Sequence, residues 1–458
     1  MKVWCGLTHR RLPVAVLLTL AAVNAPALAQ EATFPATLAA HALLPALTLV
    51  PPPADAPRDA AVSGKFTGPV RNDLPGSVAG DTGPLHGKRP TGIALPFAGQ
   101  PVQGLSGYTM DRAADGTVYT LTDNGFGSRG NSPDALLMFH RIMPDFDGGT
   151  VTLAETVFLR DPDRRVPFRI AYEGTDSRYV TGADFDPESI QIVGERIFIG
   201  EEFGPYVIEV AADGRIVAVN PTMLDGAELK SVDAPGISGT SVAGRDWRVQ
   251  RSGGYEGMAL QPGTGLLWAM LEKPLVGEGG TPEGNFLRAM AFDPAANAWT
   301  GQSFKFALAE GATAIGDFNF IDSTRALVIE RDNGEGEPAL RCTGDPAPDC
   351  FPAPALVKRI VMIDTGAVDA DGFVRRIGHI DLMNIADPDA RARTATAGGA
   401  AGRFSLPFFT IEDVMRVGET QIMVGVDNNL PFSTGRALDR AADSEIVLLS
   451  VPEFLAAR

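Results

Sequence analysis

The sequence predicts an all-β protein, a β-propeller of six blades of antiparallel sheets closed around a central channel. From about Gly83 to Pro452 it consists of short segments rich in Val, Ile, Leu and Phe, separated by Gly, Pro, Asp and Asn. Amphipathic helices of normal length are absent from this pattern. A short apolar strand that ends in one or two acidic residues recurs five times. Units that repeat in this way stack radially or linearly, which favours a ring of sheets over one sandwich. Five or seven blades stay open as counts, and a two-domain β-sandwich is the main alternative.

The first element, residues 1–29, has the pattern of an export signal. A basic start, an apolar run and a small-x-small cleavage site follow one another as Lys2, Arg10 and Arg11, then Leu12 to Val23, then Ala27-Leu28-Ala29. The pair of arginines leaves the twin-arginine route open beside general secretion. We therefore expect a periplasmic or secreted protein without a transmembrane span, since no later segment reaches the roughly 18 apolar residues that a span needs.

The second element, residues 30–82, is rich in Ala and Pro and has little periodicity. Such a composition is typical of a spacer or a loosely packed arm. The sequence thus predicts an arm over 30–82 and a propeller domain over 83–458.

The charge of the chain restricts its partners. The formal net charge is −17 for the full sequence and −20 once the three basic residues of the signal are removed. Such a surface repels nucleic acid and anionic lipid, and it suits cations, or an anion held through a bridging metal. A solvated acidic surface that keeps an exported protein soluble is the alternative interpretation. We expect a monomer with a small-molecule substrate.

Two cysteines remain after the signal, Cys342 and Cys350 in RCTGDPAPDC. An even pair in an oxidising compartment predicts a local disulfide. Metal ligation by the two thiolates is the alternative, but no further Cys and no nearby His supports it.

The acid-tipped strands set the blade count. Their terminal acids are spaced by 78, 71, 58 and 97 residues, consistent with blades of about four strands and variable loops; the acids are Asp123, Glu201, Glu272, Glu330 and Asp427. A sixth blade would combine Ile93 to Phe97 with the final strand, Glu445 to Val451, and this pairing of the two chain ends would remove exposed strand edges.

The acids of successive hairpins should meet at one mouth of the channel. Carboxylates at short distance raise each other's pKa, and a divalent cation relieves that repulsion. The structural alternative is that each acid caps backbone N–H groups or pairs with an Arg of a neighbouring blade. Turn chemistry alone likewise accounts for Asp123-Asn124-Gly125 and for Asp427-Asn428-Asn429.

Five segments in fixed order resemble proteins of the family known for esterase-like activity of phytase. They are LTDNGFGSRGNSPDALLMFHRI, DFDPESI with IFIGEEFGPYVIEVAADGRI, GGYEGMALQPGTGLLWAMLEKPL, and IMVGVDNNLPFSTGR. The resemblance covers most of residues 90 to 450. It implies an exported β-propeller distantly similar to calcium-dependent phytases, in which clustered carboxylates hold calcium ions and Lys and Arg assist.

On this basis we assign candidate roles by residue. The catalytic candidates are Glu202, Glu256, Lys273 and Arg331. The substrate-binding candidates are Arg129, Asn124, Asn428, Asn429 and Arg436. The candidate metal ligands, for Ca²⁺, are Asp123, Glu188, Glu201, Glu272, Glu330, Asp332 and Asp427.

Several enzyme classes lack their motifs. Gly239-Thr240-Ser241-Val242 continues with Ala243, so no G-x-S-x-G elbow is present. No phosphate loop or dinucleotide fingerprint occurs, and the histidines are scattered without ligand spacing. Two hypotheses remain: a calcium-dependent hydrolase of phosphate esters, and a non-catalytic propeller that binds a ligand or partner and contains a structural calcium.

Overall fold

The structure is a computed structural model that describes residues 1, 31–84, 86–237, 246–277 and 279–458. Residues Met1–Glu31 and Ala32–Arg458 form separate compact units. Of the first unit, Met1 and Glu31 are described, so the predicted export signal lies outside the described residues except for Met1. Among the described residues, no helix is long and apolar enough to cross a membrane.

Short strands make up most of the regular structure. Numbered in chain order, the described strands are β1 (Ala32–Phe34), β2 (Thr37–Leu44), β3 (Leu49–Val50), β4 (Val78–Asp81), β5 (Pro90–Leu95), β6 (Gln100–Pro101), β7 (Leu105–Ser106), β8 (Val118–Thr122), β9 (Met138–Asp145), β10 (Thr150–Phe158), β11 (Pro187–Val193), β12 (Arg196–Glu201), β13 (Tyr206–Val210), β14 (Ile216–Pro221), β15 (Met223–Leu224), β16 (Ala227–Glu228), β17 (Tyr255–Leu260), β18 (Leu267–Leu271), β19 (Phe286–Asp293), β20 (Ala298–Ala307), β21 (Ala314–Phe320), β22 (Arg325–Arg331), β23 (Lys358–Val368), β24 (Val374–Asp381), β25 (Ile385–Ala386), β26 (Arg403–Phe404), β27 (Asp413–Val417), β28 (Gln421–Gly425) and β29 (Ser444–Ser450). The described helices are 3₁₀ turns at Arg58–Ala61 and Pro338–Leu340 and an α-helix, α1, at Pro452–Ala456.

Most of these strands form four-stranded antiparallel units, here called blades, that follow one another along the chain. Blade 1 is β7 to β10, blade 2 is β11 to β14, blade 3 is β17 to β20, blade 4 is β21 to β24, and blade 5 is β27 to β29 with β2. A short parallel pairing of β10 with β2, at Thr150↔Leu43, joins blades 1 and 5 into one sheet. The prediction of an all-β propeller agrees with this arrangement. Six blades are not confirmed, because the described part of the chain forms five.

The ring closes through the N-terminal strand β2, which pairs antiparallel with the last strand, β29, from Leu38↔Leu449 to Leu44↔Ser444. The predicted closing segment, Ile93 to Phe97, does not pair with β29; its strand β5 pairs with β4 instead. The prediction of an arm over 30–82 is also corrected, since β2 completes blade 5 and β1 adds to β24 of blade 4. An Ala-rich strand of modest hydrophobicity gave little sign of this role.

Each pair of neighbouring blades encloses its own apolar cluster. Buried residues that share a cluster are Phe139 and Ile199 for blades 1 and 2, Phe198 and Met258 for 2 and 3, Phe304 and Phe318 for 3 and 4, Ile329 and Val414 for 4 and 5, and Met423 and Val118 for 5 and 1. Because apolar burial is the main stabilising contribution to folding, these five clusters hold the ring shut.

Residues 45–84 and 86–104, here called the cap segment, pack on loops of blades 1, 4 and 5. Leu95 and Phe97 share an apolar cluster with Phe126 and Leu430. Arg89 donates from Nη2 to a carboxylate oxygen of Glu335, and both side chains are buried. These loops follow the strand ends that carry the conspicuous acids, so the cap segment covers part of the acidic end of the propeller.

The two cysteines form the predicted disulfide. Cys342 and Cys350 are bonded, with 5.0 Å between their Cα atoms. The bond closes a loop that leaves blade 4 at the acidic end.

Candidate metal centre

The acids lie where the first two strands of each blade meet at one end of the ring. The first strand begins there and the second strand ends there, as the pairs Pro187↔Glu201, Tyr255↔Leu271 and Asp413↔Gly425 define. In the two-stranded register of a hairpin, these residues are direct neighbours. Acids far apart in the chain therefore share one edge.

A β-bulge recurs at the beginning of the first strand. The register shifts between Pro187 and Ser189 in blade 2, and between Tyr255 and Gly257 in blade 3. The residues skipped are Glu188 and Glu256. A bulge re-aims a side chain, and here it directs both glutamates into the ring instead of into the sheet ladder.

The acids at this end form one buried cluster, which we name the acidic cup. Its members are Asp123, Asp186, Glu188, Glu202, Glu256, Glu272, Glu412 and Asp427, and all except the partly exposed Asp123 are buried. Within the cup, one carboxylate oxygen each from Asp186, Glu188 and Glu202 lie within 4.8 Å of one another. The same holds for Glu202, Glu256 and Glu272, so Glu202 belongs to both groups.

Glu202 is the carboxylate that the two groups share. Its Oε1 is buried and has no hydrogen-bond partner among the described residues. Its side chain is 3% exposed, so water does not compensate at the surface. An unpaired buried carboxylate oxygen costs free energy, and a cation between Asp186, Glu188 and Glu202 would remove that cost. The donor set is oxygen only, which fits a hard divalent cation.

Burial and mutual repulsion raise the pKa of carboxyl groups in the cup. Burial first, and then the charges of Glu272, Asp186 and Glu256, raise the pKa of Glu202 well above its ordinary value. Burial and the neighbouring carboxylates likewise raise the pKa of Glu188 and of Glu412.

The pKa is raised into the neutral range for three members of the cup, among them Asp427, for which burial raises it to about 6. Burial raises the pKa of Asp186 to about 6, and burial together with Glu272 raises the pKa of Glu256 to about 8. The cup thus holds protons at a pH where exposed carboxyl groups are ionised.

Two side-chain cations reach the cup from blades 4 and 3. The Nη2 of Arg331 is 3.2 Å from Glu256 Oε1, 2.9 Å from Glu272 Oε1 and 3.5 Å from Glu412 Oε1. The Nζ of Lys273 is 2.7 Å from Glu272 Oε2. Both cations therefore face the Glu256 and Glu272 side. The side formed by Asp186 and Glu188 has no cation within ion-pair distance among the described residues.

Asn124 and Glu201 position the ligand candidates. The Nδ2 of Asn124 donates to Asp186 Oδ1 at 2.8 Å, and its backbone N–H donates to the same oxygen at 3.2 Å. Glu201 accepts backbone N–H bonds from Asp186, Phe203 and Gly204 at 3.1, 2.7 and 2.9 Å. Because Glu201 is occupied as a local backbone cap, we correct its assignment as a metal ligand.

Two further predicted ligands lie away from the cup. Glu330 receives both Nη atoms of Arg376, at 3.1 and 3.0 Å, and the backbone N–H of Ala309. Asp332 is 3.1 Å from Lys358 Nζ and caps the backbone of the following loop. These are the structural roles that the sequence left open as the alternative, so neither residue is retained as a ligand.

Two of the predicted substrate-binding residues, Arg436 and Asn429, also make structural contacts. Arg436 pairs through Nε and Nη2 with Glu445 and packs over Phe404, beneath the cup. The backbone of Asn429, at φ 43°, forms a turn whose N–H donates to Asp427. We correct both assignments, since both residues serve the fold.

Two further substrate-binding candidates are Arg129 and Asn428. Arg129 donates to the backbone carbonyls of Ala183 and Asp233 and lies over the ring of Phe203. Asn428 is buried beside Asp427, and its Nδ2 has no hydrogen-bond partner among the described residues.

Sequence reasoning assigned no role to Asp186 and Glu412, which belong to the cup. Asp186 precedes Glu188 by two residues in DFDPESI. Residues two apart on an extended chain share a face, and this spacing was the available signal. Glu412 precedes the first strand of blade 5 in the same way as Glu188 and Glu256 begin theirs.

Solved structures with a similar chain course are distant. An endo-arabinanase of Bacillus licheniformis has 11% identity and a TM-score of 0.34, over 77% of this chain and 95% of that chain. An aldose sugar dehydrogenase of Streptomyces coelicolor has 9% identity and a TM-score of 0.34, over 77% and 95%. A protein of unknown function from Dyadobacter fermentans has 9% identity and a TM-score of 0.36, over 91% and 99%. None of these values supports a functional argument.

Among curated proteins, none matches the chain. The model of one protein family matches residues 100–430, which is well over half of the chain and includes every member of the acidic cup. The chain therefore belongs to the phytase-like family, the family of esterase-like activity of phytase.

Proposed function

We propose that this protein is a hydrolase of phosphate esters that works through a divalent cation, calcium, held in the acidic cup. The single observation behind the proposal is the buried, unpartnered Oε1 of Glu202, set between two groups of carboxylates that each span no more than 4.8 Å. Several unpaired buried charges are tolerated only when a counter-ion is present or protons are bound.

The ligand chemistry favours calcium over a transition metal. The groups around Glu202 offer carboxylates and contain no His or Cys. Calcium takes six to eight oxygen ligands in flexible geometry, whereas zinc sites favour nitrogen and sulfur. A phosphate-ester substrate follows from the family's association with phytase activity.

The chain's own residues then have distinct tasks. Asp186, Glu188 and Glu202 hold the cation, and the side chain of Asn124 fixes the orientation of Asp186. When bound, the cation would neutralise phosphate oxygens and lower the pKa of a coordinated water. Burial raises the pKa of Glu256 to about 8, so this carboxyl group would accept a proton from that water only once it is itself ionised, at about pH 8 and above.

A non-catalytic propeller with a structural calcium is the second candidate, and Lys273 favours it. Its Nζ is already bonded to the backbone carbonyls of Arg251 and Ser252 and paired with Glu272. A lysine with all three donors engaged has none left for a substrate oxygen. In this case the cation would stabilise the ring without turnover.

We further propose that the protein is exported to the periplasm or secreted. The proposal rests on the signal-like pattern of residues 1–29 and agrees with the disulfide between Cys342 and Cys350.

An activity panel tests the proposal. The purified full-length protein is assayed on phosphomonoesters, phosphodiesters and carboxylic esters, with calcium and after chelation. We expect turnover of phosphate esters that chelation abolishes and calcium restores, with the fold retained throughout. Absence of turnover on every phosphate ester, with calcium affecting the melting temperature alone, would reject the hydrolase in favour of the binding propeller.

A further inference from the structure

Blade 4 departs from the other blades at the edge that forms the cup. At or just beyond the end of the second strand, blades 1, 2, 3 and 5 carry the acids Asp123, Glu202, Glu272 and Asp427. Blade 4 carries Arg331, the last residue of β22, paired with Ala314. A position that is acidic elsewhere around the ring is thus cationic here.

The bulge position of blade 4 differs as well. The register shifts between Ile315 and Asp317, so Gly316 occupies the place that Glu188 and Glu256 take in blades 2 and 3. A Cβ at Gly316 would lie 1.9 Å from the carbonyl oxygen of Ile411. Blade 5 approaches too closely for any side chain, and blade 4 therefore contributes no acid at this position.

The guanidinium of Arg331 lies among carboxylates of the neighbouring blades. One nitrogen, Nη2, is within 3.5 Å of Glu256, Glu272 and Glu412, which come from blades 3 and 5. Arg331 is 3% exposed. The carboxylates raise its pKa despite burial, so the guanidinium stays charged.

We propose that Arg331 is a resident cation that replaces a metal ion on the blade 3 and blade 5 side of the cup. Divalent-cation binding is thereby confined to the side formed by Asp186, Glu188 and Glu202. This inference rests on the proposed function, since it presumes that the cup binds a divalent ion. It assigns Arg331 a positioning role in place of the catalytic role predicted from the sequence.

A calcium ion and the guanidinium of Arg331 cannot bind the same oxygens of Glu256, Glu272 and Glu412. A calcium ion needs oxygen ligands at about 2.3–2.6 Å. Arg331 Nη2 lies 3.2 Å from Glu256 Oε1 and 2.9 Å from Glu272 Oε1, so a calcium ion bound to both oxygens on that side would overlap with the nitrogen. Removal of the guanidinium would free the Oε1 atoms of Glu256, Glu272 and Glu412 as ligands for one further ion, while Glu272 Oε2 stays paired with Lys273.

Metal stoichiometry tests the inference. Full-length wild-type protein and Arg331→Met are dialysed against calcium chloride, and bound calcium is measured by mass spectrometry of the metal. We expect Arg331→Met to bind one more calcium ion per chain than the wild type. Arg331→Lys keeps a positive charge in the cup and should bind the wild-type number. Arg376→Met is the matched control, because it removes a half-buried guanidinium from Glu330, which lies outside the cup, and should add no ion.

The outcomes separate this inference from the proposed function. A wild-type protein without calcium rejects the metal centre and the inference together. A wild-type protein with calcium and an Arg331→Met variant with the same number rejects the inference alone. If Arg331→Met folds only in calcium, its content is measured there, and one extra ion is still expected. Failure of this variant to fold with or without calcium would also overturn the inference, since calcium would then not replace the guanidinium.

Discussion

Glu202 and Glu201 are adjacent in sequence and have opposite roles. Glu201 accepts three backbone N–H bonds, whereas Glu202 has a buried oxygen with no partner. Successive residues of a strand point to opposite faces, which is why one residue caps the chain and its neighbour enters the cup. The double acid Glu201-Glu202 therefore combines one backbone cap with one member of the acidic cup.

The first prediction concerns Glu202. Substitution Glu202→Gln keeps the shape and removes a charge that three neighbouring acids repel. We expect calcium affinity to fall at least tenfold and phosphate-ester turnover to be lost, while the melting temperature of the metal-free protein stays the same or rises. Calorimetric titration with calcium and thermal melts in chelator measure both effects.

Glu330→Gln is the control for that prediction. It breaks the buried pair with Arg376, so it should lower the free energy of unfolding by about 3 kcal/mol and leave calcium affinity unchanged. Equal calcium affinity in Glu202→Gln and the wild type would contradict the assignment of Glu202 as a ligand.

The second prediction is a pH dependence. Burial raises the pKa of Asp186 and Asp427 to about 6 and the pKa of Glu256 to about 8. A carboxyl group with a raised pKa in the folded state binds its proton more tightly there than in the unfolded state. Its contribution to stability is full below about pH 4 and is lost as the pH rises through the folded value. The metal-free protein should therefore melt at progressively lower temperature from about pH 4 to about pH 8.

Calcium should act in the opposite direction. Its ligands must be deprotonated, so affinity should rise between about pH 6 and about pH 8 and offset the loss of stability. Melts at several pH values, with calcium and with chelator, measure the difference. A melting temperature of the chelated protein that is independent of pH would show that the cup does not titrate as described.

At the scale of the element, close contacts between blades set the shape of the cup. A Cβ at Gly254, at the start of blade 3, would lie 2.3 Å from Glu202 Cα and 2.4 Å from its carbonyl oxygen. The absence of a side chain lets blade 3 approach the backbone of Glu202. This contact brings Glu256 and Glu272 near Glu202.

The third prediction follows from that contact. Gly254→Ala should lower the free energy of unfolding by roughly 2 kcal/mol and weaken calcium binding, because blade 3 must move away from Glu202. Gly174→Ala is the matched control, since nothing lies within 4 Å of its Cβ position. Denaturant unfolding and calcium titration of both variants test this, and wild-type calcium affinity in Gly254→Ala would contradict the account.

Sequence patterns identified the strand ends better than they identified partners. Acid-tipped strands located Glu188, Glu202, Glu256 and Glu272, because strand boundaries and acids are local features. Glu330 and Arg376 are 46 residues apart in the sequence and lie on different strands. No local pattern encodes their pairing. The bulges that aim Glu188 and Glu256 are equally a product of the folded hairpin.

At the scale of the molecule, ring closure depends on residues that precede the family match. Strand β2, Thr37–Leu44, is the fourth strand of blade 5, and the family model begins at residue 100. The Ala-rich composition of β2 gave little sign of this role in the sequence. A sixth blade was predicted instead. The class of fold was predictable from strand length and repetition, whereas the number of blades depended on which distant strand completes the last sheet.

The fourth prediction tests this closure. A chain that starts at residue 83, the predicted domain boundary, lacks β2 and leaves β29 as an exposed edge of blade 5. We expect it to be insoluble or to melt far below the chain that starts at residue 31. Expression of both chains, with circular dichroism and thermal melts, makes the comparison. A stable, fully folded chain from residue 83 would show that β2 is dispensable.

The most direct test of the cation in the cup is its position in a crystal. A calcium-containing crystal measured at long X-ray wavelength gives an anomalous difference map that locates each ion. The account predicts a peak between the carboxylates of Asp186, Glu188 and Glu202, and none between Glu256, Glu272 and Glu412, where Arg331 lies. Calcium-saturated protein with no peak at the first position would contradict it.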